Sequence, residues 1–438
     1  MHVKGIQARH CLMATVAALA IGAVATDAIA GGFEVREQSA HFQGMSFAGV
    51  AAGGSSLSSM FWNPAAHNYV GSGLNFESNY SLILPSSKLT VETVGGAPAG
   101  CPPADCTVEI GRDAIVPASY AAVRLGASTV LGIAINSQYG LATQPDNKNW
   151  IGAPINTGAK IFSTNLNPSI SHEIMPGLAI GVGLQIQYFD LQRFQTTSPT
   201  LGGPLRTQLQ GDNVDAGWTL GINYRPTPGT SIGLGWRSAI SHSLDGEFQT
   251  GGAATQRVNV KADVDTPDKV TLSINQALAA NMRLAATAEW TDWSRAGVIP
   301  ITIAGLGVPL APGGNPAVID LQWEDGWFFA LGGEYDVNDK LTLRAGGAYE
   351  ISPVRDATAR LTQLPDADRI WASLGASYKW NESTTIDLAY THIFVEDASF
   401  DRTNATGTAP RFVGDADSSV DIISIGLKSR WGGAPAAP

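Results

Sequence analysis

Residues 178–190 read LAIGVGLQIQYFD, and the side chain changes character at almost every step. Leu178, Ile180, Val182, Leu184, Ile186 and Tyr188 fall on one side of an extended chain, and Ala179, Gly181, Gly183, Gln185 and Gln187 on the other. Successive strand side chains point to opposite faces, so this period of two marks a strand with one greasy face and one small or polar face. The pattern returns in Trp218, Leu220, Ile222 and Tyr224 against Thr219, Gly221, Asn223 and Arg225. It recurs in Ile232, Leu234 and Trp236 against Ser231, Gly233, Gly235 and Arg237. Val270, Leu272 and Ile274 oppose Thr271, Ser273 and Asn275; near the end Ile423, Ile425, Leu427 and Trp431 oppose Ser424, Gly426, Lys428 and Arg430. A soluble sandwich also alternates, but its polar face is the outside and carries many charges. Here that face is largely Gly, Ser, Thr, Asn and Gln, as expected of a lumen.

Working outward, fourteen such strands are predicted, at 73–85, 114–125, 129–140, 161–173, 178–195, 208–224, 230–246, 267–279, 282–296, 317–336, 340–350, 366–380, 384–396 and 418–431. Six connections are short: 126–128, 175–177, 225–229, 280–281, 336–339 and 381–383. The others, such as 86–113, 142–160, 247–266, 297–316, 351–365 and 397–417, are long and rich in Gly, Pro, Asp and Thr. Short turns on one side and long loops on the other describe an up-and-down outer-membrane barrel. Backbone groups cannot go unpaired in lipid, so the sheet must close. The fold class is therefore all-β: a transmembrane antiparallel barrel of 14 strands over 73–431, with both termini on the periplasmic side. Trp218, Trp236, Trp290, Trp293, Tyr378, Trp380 and Trp431, near strand ends, suit interfacial girdles.

The first thirty residues read as a secretory signal peptide: Lys4 and Arg9, an apolar run from Leu12 to Val24, and small residues at Ala28-Ile29-Ala30. Cys11 precedes the end of that run, the wrong place for lipidation. Cleavage would start the mature chain at Gly31. After Ala30 no window of about 18 apolar residues appears, so helical spans are not expected. Yet 44% of the chain is hydrophobic, only 15% is charged, and glycine occurs 49 times. A barrel accounts for this by turning its apolar residues to lipid. Removing Lys4, Arg9 and Asp27 leaves 25 basic against 37 acidic residues, a net charge of −12, which argues against nucleic acid as a partner. Expected surroundings are outer-membrane lipid and lipopolysaccharide, with the chain as a monomer; no cofactor or metal is called for. Cys101 and Cys106, in CPPADC, suit a loop disulfide in an oxidising compartment, and neither has the neighbours of a metal site.

Residues 31–72 do not alternate. Ser39, Gly44, Ser46, Ala48, Gly49, Ala51 and Ser55-Ser56 allow close backbone packing, while Phe42, Phe47, Phe61 and Trp62 give the segment something to bury. A compact plug inside the lumen is the preferred reading over a disordered tail. After Trp431, residues 432–438 (GGAPAAP) cannot pair as a strand and read as a disordered tail.

Several of these stretches resemble the FadL/TodX family of outer-membrane hydrophobic-compound transporters. Gly32-Phe33 looks like that family's mature start, and Asn63-Pro64-Ala65 matches its hatch motif. Tyr139-Gly140-Leu141-Ala142-Thr143 is similar to the region after its third strand, and Gln192-Arg193-Phe194 to a binding-site stretch. Ser352-Pro353-Val354 and Leu364-Pro365-Asp366-Ala367-Asp368-Arg369-Ile370-Trp371 resemble a late loop and strand. The resemblance implies a passive uptake channel. Cargo would be captured outside, held in an inner pocket, and released through a break in the third strand near Tyr139, Gly140 and Leu141. It also implies that Phe33 reaches the inner ligand and that Arg193 stands near a fatty-acid carboxylate; the alternative for Arg193 is a lumen ion pair with Glu324 or Asp325. Glu324 and Asp325 stand where fatty-acid members place a second cation, which points to neutral cargo such as an aromatic hydrocarbon, an alkane or a terpenoid-like compound, with long-chain fatty acid as the alternative.

Two other function classes are disfavoured. A general porin for polar solutes would have a charged lumen and no plug. A barrel lipid hydrolase would need a Ser or Thr nucleophile with a positioned His. His41, His67, His172, His242 and His392 stand in no nucleophile motif, and Ser46 in Gly44-Met45-Ser46-Phe47-Ala48 lacks the elbow's second glycine.

Overall fold

The computed structural model describes residues 31–198, 205–251, 256–311, 316–403 and 409–432. The leader expected at 1–30 and the tail from 433 onward lie outside them. The wall is a closed antiparallel barrel of 14 staves. These are β1 (Leu74–Val94), β2 (Ala114–Leu125), β3 (Thr129–Asn136 with Gly140–Thr143), β4 (Gly158–Met175), β5 (Leu178–Ser198), β6 (Leu205–Thr227) and β7 (Thr230–Arg237 with Ser241–Gly251). They continue as β8 (Gln256–Asp265 with Lys269–Ala279), β9 (Met282–Thr291), β10 (Gly326–Asp336), β11 (Leu341–Ile351), β12 (Arg369–Asn381), β13 (Thr384–Val395) and β14 (Phe412–Trp431). Each pairs with the next, and β1 pairs with β14 from Leu74↔Trp431 through Ser81↔Ser424 and beyond, closing the circle.

The alternation sets which side faces out. Ile180, Val182, Ile186, Leu220, Ile222, Leu234, Leu272 and Ile274 are exposed on the outer wall, while Gln185, Gln187, Thr219, Asn223 and Thr271 are buried inside. Exposed apolar side chains in such number would be a liability in water and are the requirement in lipid.

The staves overrun the predicted strands at their loop ends. β1 extends to Val94, β14 starts at Phe412, and residues 256–265, predicted as loop, pair with β7. There the alternation inverts: Leu89, Val91, Val260, Ala262 and Val264 are buried while Lys88, Glu92, Lys261 and Asp263 are exposed, so these stretches lack the greasy outward face that marks the wall in lipid. Conversely, β9 stops at Thr291, short of the predicted 296, and the predicted strand at 317–336 divides. Val318–Asp320 pairs with Val298–Pro300 in a separate two-stranded sheet, and only Gly326–Asp336 joins the wall.

Residues 31–69 fill the lumen. A single helical turn α1 (Ala40–Gln43) is capped by Ser39, whose Oγ accepts from the Phe42 amide at 3.2 Å. Three 3₁₀ turns follow, Val50–Ala52, Leu57–Phe61 and Ala66–Tyr69, with Phe42, Phe47, Phe61 and Trp62 buried. Asn63 of Asn63-Pro64-Ala65 folds its Oδ1 onto the Ala65 amide (2.8 Å) and donates Nδ2 to Ala51 O (2.7 Å) and Ile222 O of β6 (2.9 Å). The wall's inward glycines make this approach possible: a Cβ on Gly235 would land on the carbonyl oxygen of Trp62, and one on Gly233 on that of Ala51. The segment also ties the seam. The Ala40 amide donates to Asn79 Oδ1 of β1 (3.0 Å), and Gln43 bonds Ser424 of β14, whose Oγ lies 2.6 Å from Ser81 Oγ of β1.

Candidate functional site: an aromatic chamber at a break in the wall

The ladder between β3 and β4 slips in one place. Asn136 pairs with Asn165 and Gly140 with Phe162, so four steps on β3 oppose three on β4. The extra residue is a bulge, which bends the strand and releases backbone groups from the ladder. Ser163 of β4 satisfies part of the gap: its Oγ accepts from the Tyr139 amide and donates to Tyr139 O, both at 2.8 Å. The N-terminal segment supplies the rest. Val35 N donates to Gln138 O (2.8 Å), Gly140 N to Phe33 O (2.9 Å), and Gln38 Nε2 to Ser137 O (2.6 Å). Residues 33–35 thus run as a short antiparallel patch, with Glu34 bridged to Tyr139. Gly140 itself opens the second piece of β3; the irregular residues are Ser137, Gln138 and Tyr139.

The patch aims Phe33 into a cage of rings. Its centroid lies 4.9 Å from Trp293, 5.5 Å from Tyr139, 5.9 Å from Trp323 and 6.1 Å from Phe189, mostly edge to face. Leu141 joins the same buried cluster. Trp293 is therefore not a girdle residue: it is 2% exposed, because the chain leaves the wall at Thr291 and turns it inward. Phe189, Trp293 and Trp323 were not singled out as site residues by the sequence. For Phe189 a signal existed, since it shares the inward parity of Gln185 and Gln187.

Below the rings, buried charges fasten the segment to the wall. Lys269 of β8 pairs with Glu34 and lies 3.2 Å from Glu289 of β9. Arg36 pairs with Glu289 at 2.7 Å and lies over the Phe328 ring, 3.7 Å from its centroid. Breaking a buried pair strands a charge, so these contacts specify one seat for the segment.

Glu324 and Asp325 do not join this group. Glu324 is exposed and pairs with Arg355 at 3.2 Å. Asp325 accepts at 2.8 Å from Nε1 of Trp290, which faces away from the inward Glu289. Both acids are thus engaged locally, Glu324 with Arg355 and Asp325 with Trp290. Arg193 stands on β5 between Leu191, in the chamber cluster, and Phe194, packed against it; its Nε is buried without a hydrogen-bond partner. Its register partner across the ladder is Lys160 of β4, a second cation that the sequence did not single out. Cys101 and Cys106 are joined as a disulfide, Cα–Cα 5.7 Å, in the excursion between β1 and β2, away from the chamber.

Comparison with known proteins gives a consistent answer. A family described as outer membrane protein transport protein (OMPP1/FadL/TodX) matches residues 21–431. Outer membrane protein P1 of Haemophilus influenzae is 26% identical, covering 87% of this chain and 89% of its own. The long-chain fatty acid transport protein of Escherichia coli O6:H1 is 25% identical, over 87% and 91%. The crystal structure of a Pseudomonas aeruginosa FadL homologue superposes with a TM-score of 0.80 at 21% identity, over 92% of this chain and all of that one.

Proposed function

The chain belongs to the OMPP1/FadL/TodX family of outer-membrane transport proteins, and we propose on that premise that it takes up hydrophobic compounds by a route that leaves sideways through the break in β3. The observation that carries this reading is the patch joining Phe33 and Val35 to Gln138 and Gly140. It makes the seating of the N-terminal segment and the continuity of the wall one event.

The energetics are compatible. Parting the two ladder bonds costs about 0.5–1.5 kcal/mol each. Lifting Phe33 from its cage costs roughly 1.5–3 kcal/mol. A ligand gains about 0.8 kcal/mol per methylene on leaving water, so some four to eight methylenes, or an aromatic ring with substituents, would offset the cost. The same arithmetic disfavours travel along a polar lumen, which the segment occupies. A ligand entering among Tyr139, Phe189, Trp293 and Trp323 competes with the Phe33 ring, frees residues 33–35, and leaves the bulged ladder as the weakest part of the wall.

Neutral and anionic cargo both fit. The chamber is lined by rings, and Lys160 and Arg193, register partners on β4 and β5, alternate with the chamber-facing Ala159, Ile161 and Phe194 and so lie behind its wall, where they favour an anion by charge and not by contact. With Glu324 held by Arg355 and Asp325 by Trp290, the two acids weigh less against a fatty acid. A relative named for long-chain fatty acid transport supports that class.

The test is Gly140→Trp. A bulky side chain at the break should reduce uptake of labelled oleate and of toluene to background, while the protein still migrates as a folded, heat-modifiable barrel. Uptake at the unsubstituted rate by a folded G140W protein would rule out exit at this position.

A further inference from the structure

Gly31 and Gly32 are buried at the head of the N-terminal segment. A Cβ on Gly31 would land on Oε1 of Glu350, on β11. Gly32 has φ +62°, donates its amide to Asp366 Oδ2 at 3.0 Å, and would carry a Cβ 2.8 Å from the Trp293 ring. The two glycines thread a slot with no room for a side chain. The Gly31 nitrogen, one bond from the same Cα, is within reach of the Glu350 carboxylate.

The charges around this slot do not balance. Glu37, Glu350 and Asp366 are all buried. The nearby cations are Arg36 and Arg369. Arg36 is engaged by Glu289 at 2.7 Å. Arg369 pairs with Asp366 and lies 3.7 Å from Glu350, whose Oε2 also accepts from Trp371 Nε1 at 3.0 Å. Both carboxyl oxygens of Glu37 are buried without a hydrogen-bond partner. Burial drives that carboxyl up to about 7, against the opposing pull of Arg36 and Arg369. Arg36 acts on Glu37 and Glu350 as well as on Glu289, so the three acids of the slot face two guanidiniums, one of them shared, and buried carboxylates demand pairing.

We infer that the missing cation is the chain's own α-ammonium: cleavage after Ala30 leaves it on Gly31, where it pairs with Glu350 and latches the N-terminal segment across the break in β3. Hydrolysis of the Ala30–Gly31 peptide bond adds one water across it. Ala30 leaves with a carboxylate, and the Gly31 nitrogen, now an amine, takes a proton at neutral pH. Before that step the nitrogen is a neutral amide and the slot is one positive charge short. Removal of the leader thus creates a structural ion as well as releasing the chain. The absence of a side chain at Gly31 lets the ammonium approach Glu350 directly.

The experiment uses the full processed protein purified from outer membranes. Mass spectrometry should find the chain starting at Gly31. Acetylation with a water-soluble acylating reagent near neutral pH should modify the α-amine at least about tenfold more slowly than in Glu350→Gln, the effect of one pKa unit. A mature chain starting elsewhere, or an α-amine equally reactive in both proteins, overturns the inference. Should E350Q fail to assemble, a serine inserted between Ala30 and Gly31 keeps Glu350 and displaces the ammonium by one residue. The Gly140 amide should then exchange with solvent at least about tenfold faster; unchanged exchange counts against the latch. Neither readout involves cargo, so failure here leaves the transport route standing, and failure of uptake leaves the latch standing.

Discussion

The amide of Gly140 donates to the carbonyl of Phe33 across 2.9 Å, so a wall residue and a residue of the lumenal segment share one rung of a sheet. The ring of Phe33 holds that rung by its contacts with Tyr139, Phe189, Trp293 and Trp323. Truncating a buried Phe to Ala costs about 3–5 kcal/mol, here charged locally to the seating of residues 33–35. Phe33→Ala should therefore raise hydrogen exchange at the Gly140 amide by at least about a hundredfold, with the lower halves of β5 and β6 unchanged. Exchange at the native rate would mean that the ring does not govern the rung.

The plug is shaped against glycine. Gly235→Val would drive its side chain into the carbonyl of Trp62, an overpacking that costs about 1–3 kcal/mol or more. The wall depends on its ladder and should stay folded while the plug shifts. In planar bilayers G235V should show a larger steady aqueous conductance than the native protein; identical conductance would show that the plug tolerates the intrusion.

Lys160 and Arg193 sit opposite one another on β4 and β5, both half-buried. Removing both with Lys160→Ala and Arg193→Ala should weaken binding of a fatty-acid anion about three- to tenfold, the effect of up to about 1 kcal/mol per cation at a partly exposed site. Toluene binding should not change. An equal loss for both ligands would assign these residues to packing and not to charge.

His67, in the last turn of the lumenal segment, is buried with neither ring nitrogen hydrogen-bonded by a side chain. Burial lowers it from 6.5 to about 4, with a smaller opposing effect at the Val130 backbone. The seated segment therefore holds His67 neutral, whereas a released segment takes up a proton below about 6.5. Seating is fully stable above that pH and weakens as pH falls toward 4, by at most about 1.4 kcal/mol per unit. Exchange at the Asn68 amide, corrected for its intrinsic pH dependence, should accelerate over that window and do so less in His67→Gln. A flat profile would place the proton elsewhere.

The wall was legible because lipid imposes a rule on every second residue, as in Ile180, Val182 and Ile186. Where that rule inverts, the reading stopped short: β1 runs on to Val94 and β14 starts at Phe412 with Lys88, Glu92, Asp415 and Asp417 outward and Leu89, Val91, Phe412 and Ala416 inward. The chamber was half legible. Phe33 and Tyr139 came from a resemblance to known motifs, and Phe189 could have come from parity alone. Trp293 could not, because a tryptophan just past a strand end serves a girdle or a cavity equally well, and only the exit of the chain at Thr291 decides. Glu324 was open to the same ambiguity: one continuous strand at 317–336 would put it on the lumenal parity of Gly326 and Phe328, whereas the stave begins at Gly326 and Glu324 is exposed against Arg355.

The bonds from Ala40 to Asn79 and from Gln43 to Ser424 reach the first and last staves from inside. Every hairpin of the barrel is local in sequence except this one junction, where residues more than three hundred positions apart must find their register. A segment that grips both edges acts there as a mandrel: folded early against β1, it offers β14 a preset seat and sets the slide of Leu74 against Trp431. The part that stoppers the finished tube is then also the former on which its last joint is made.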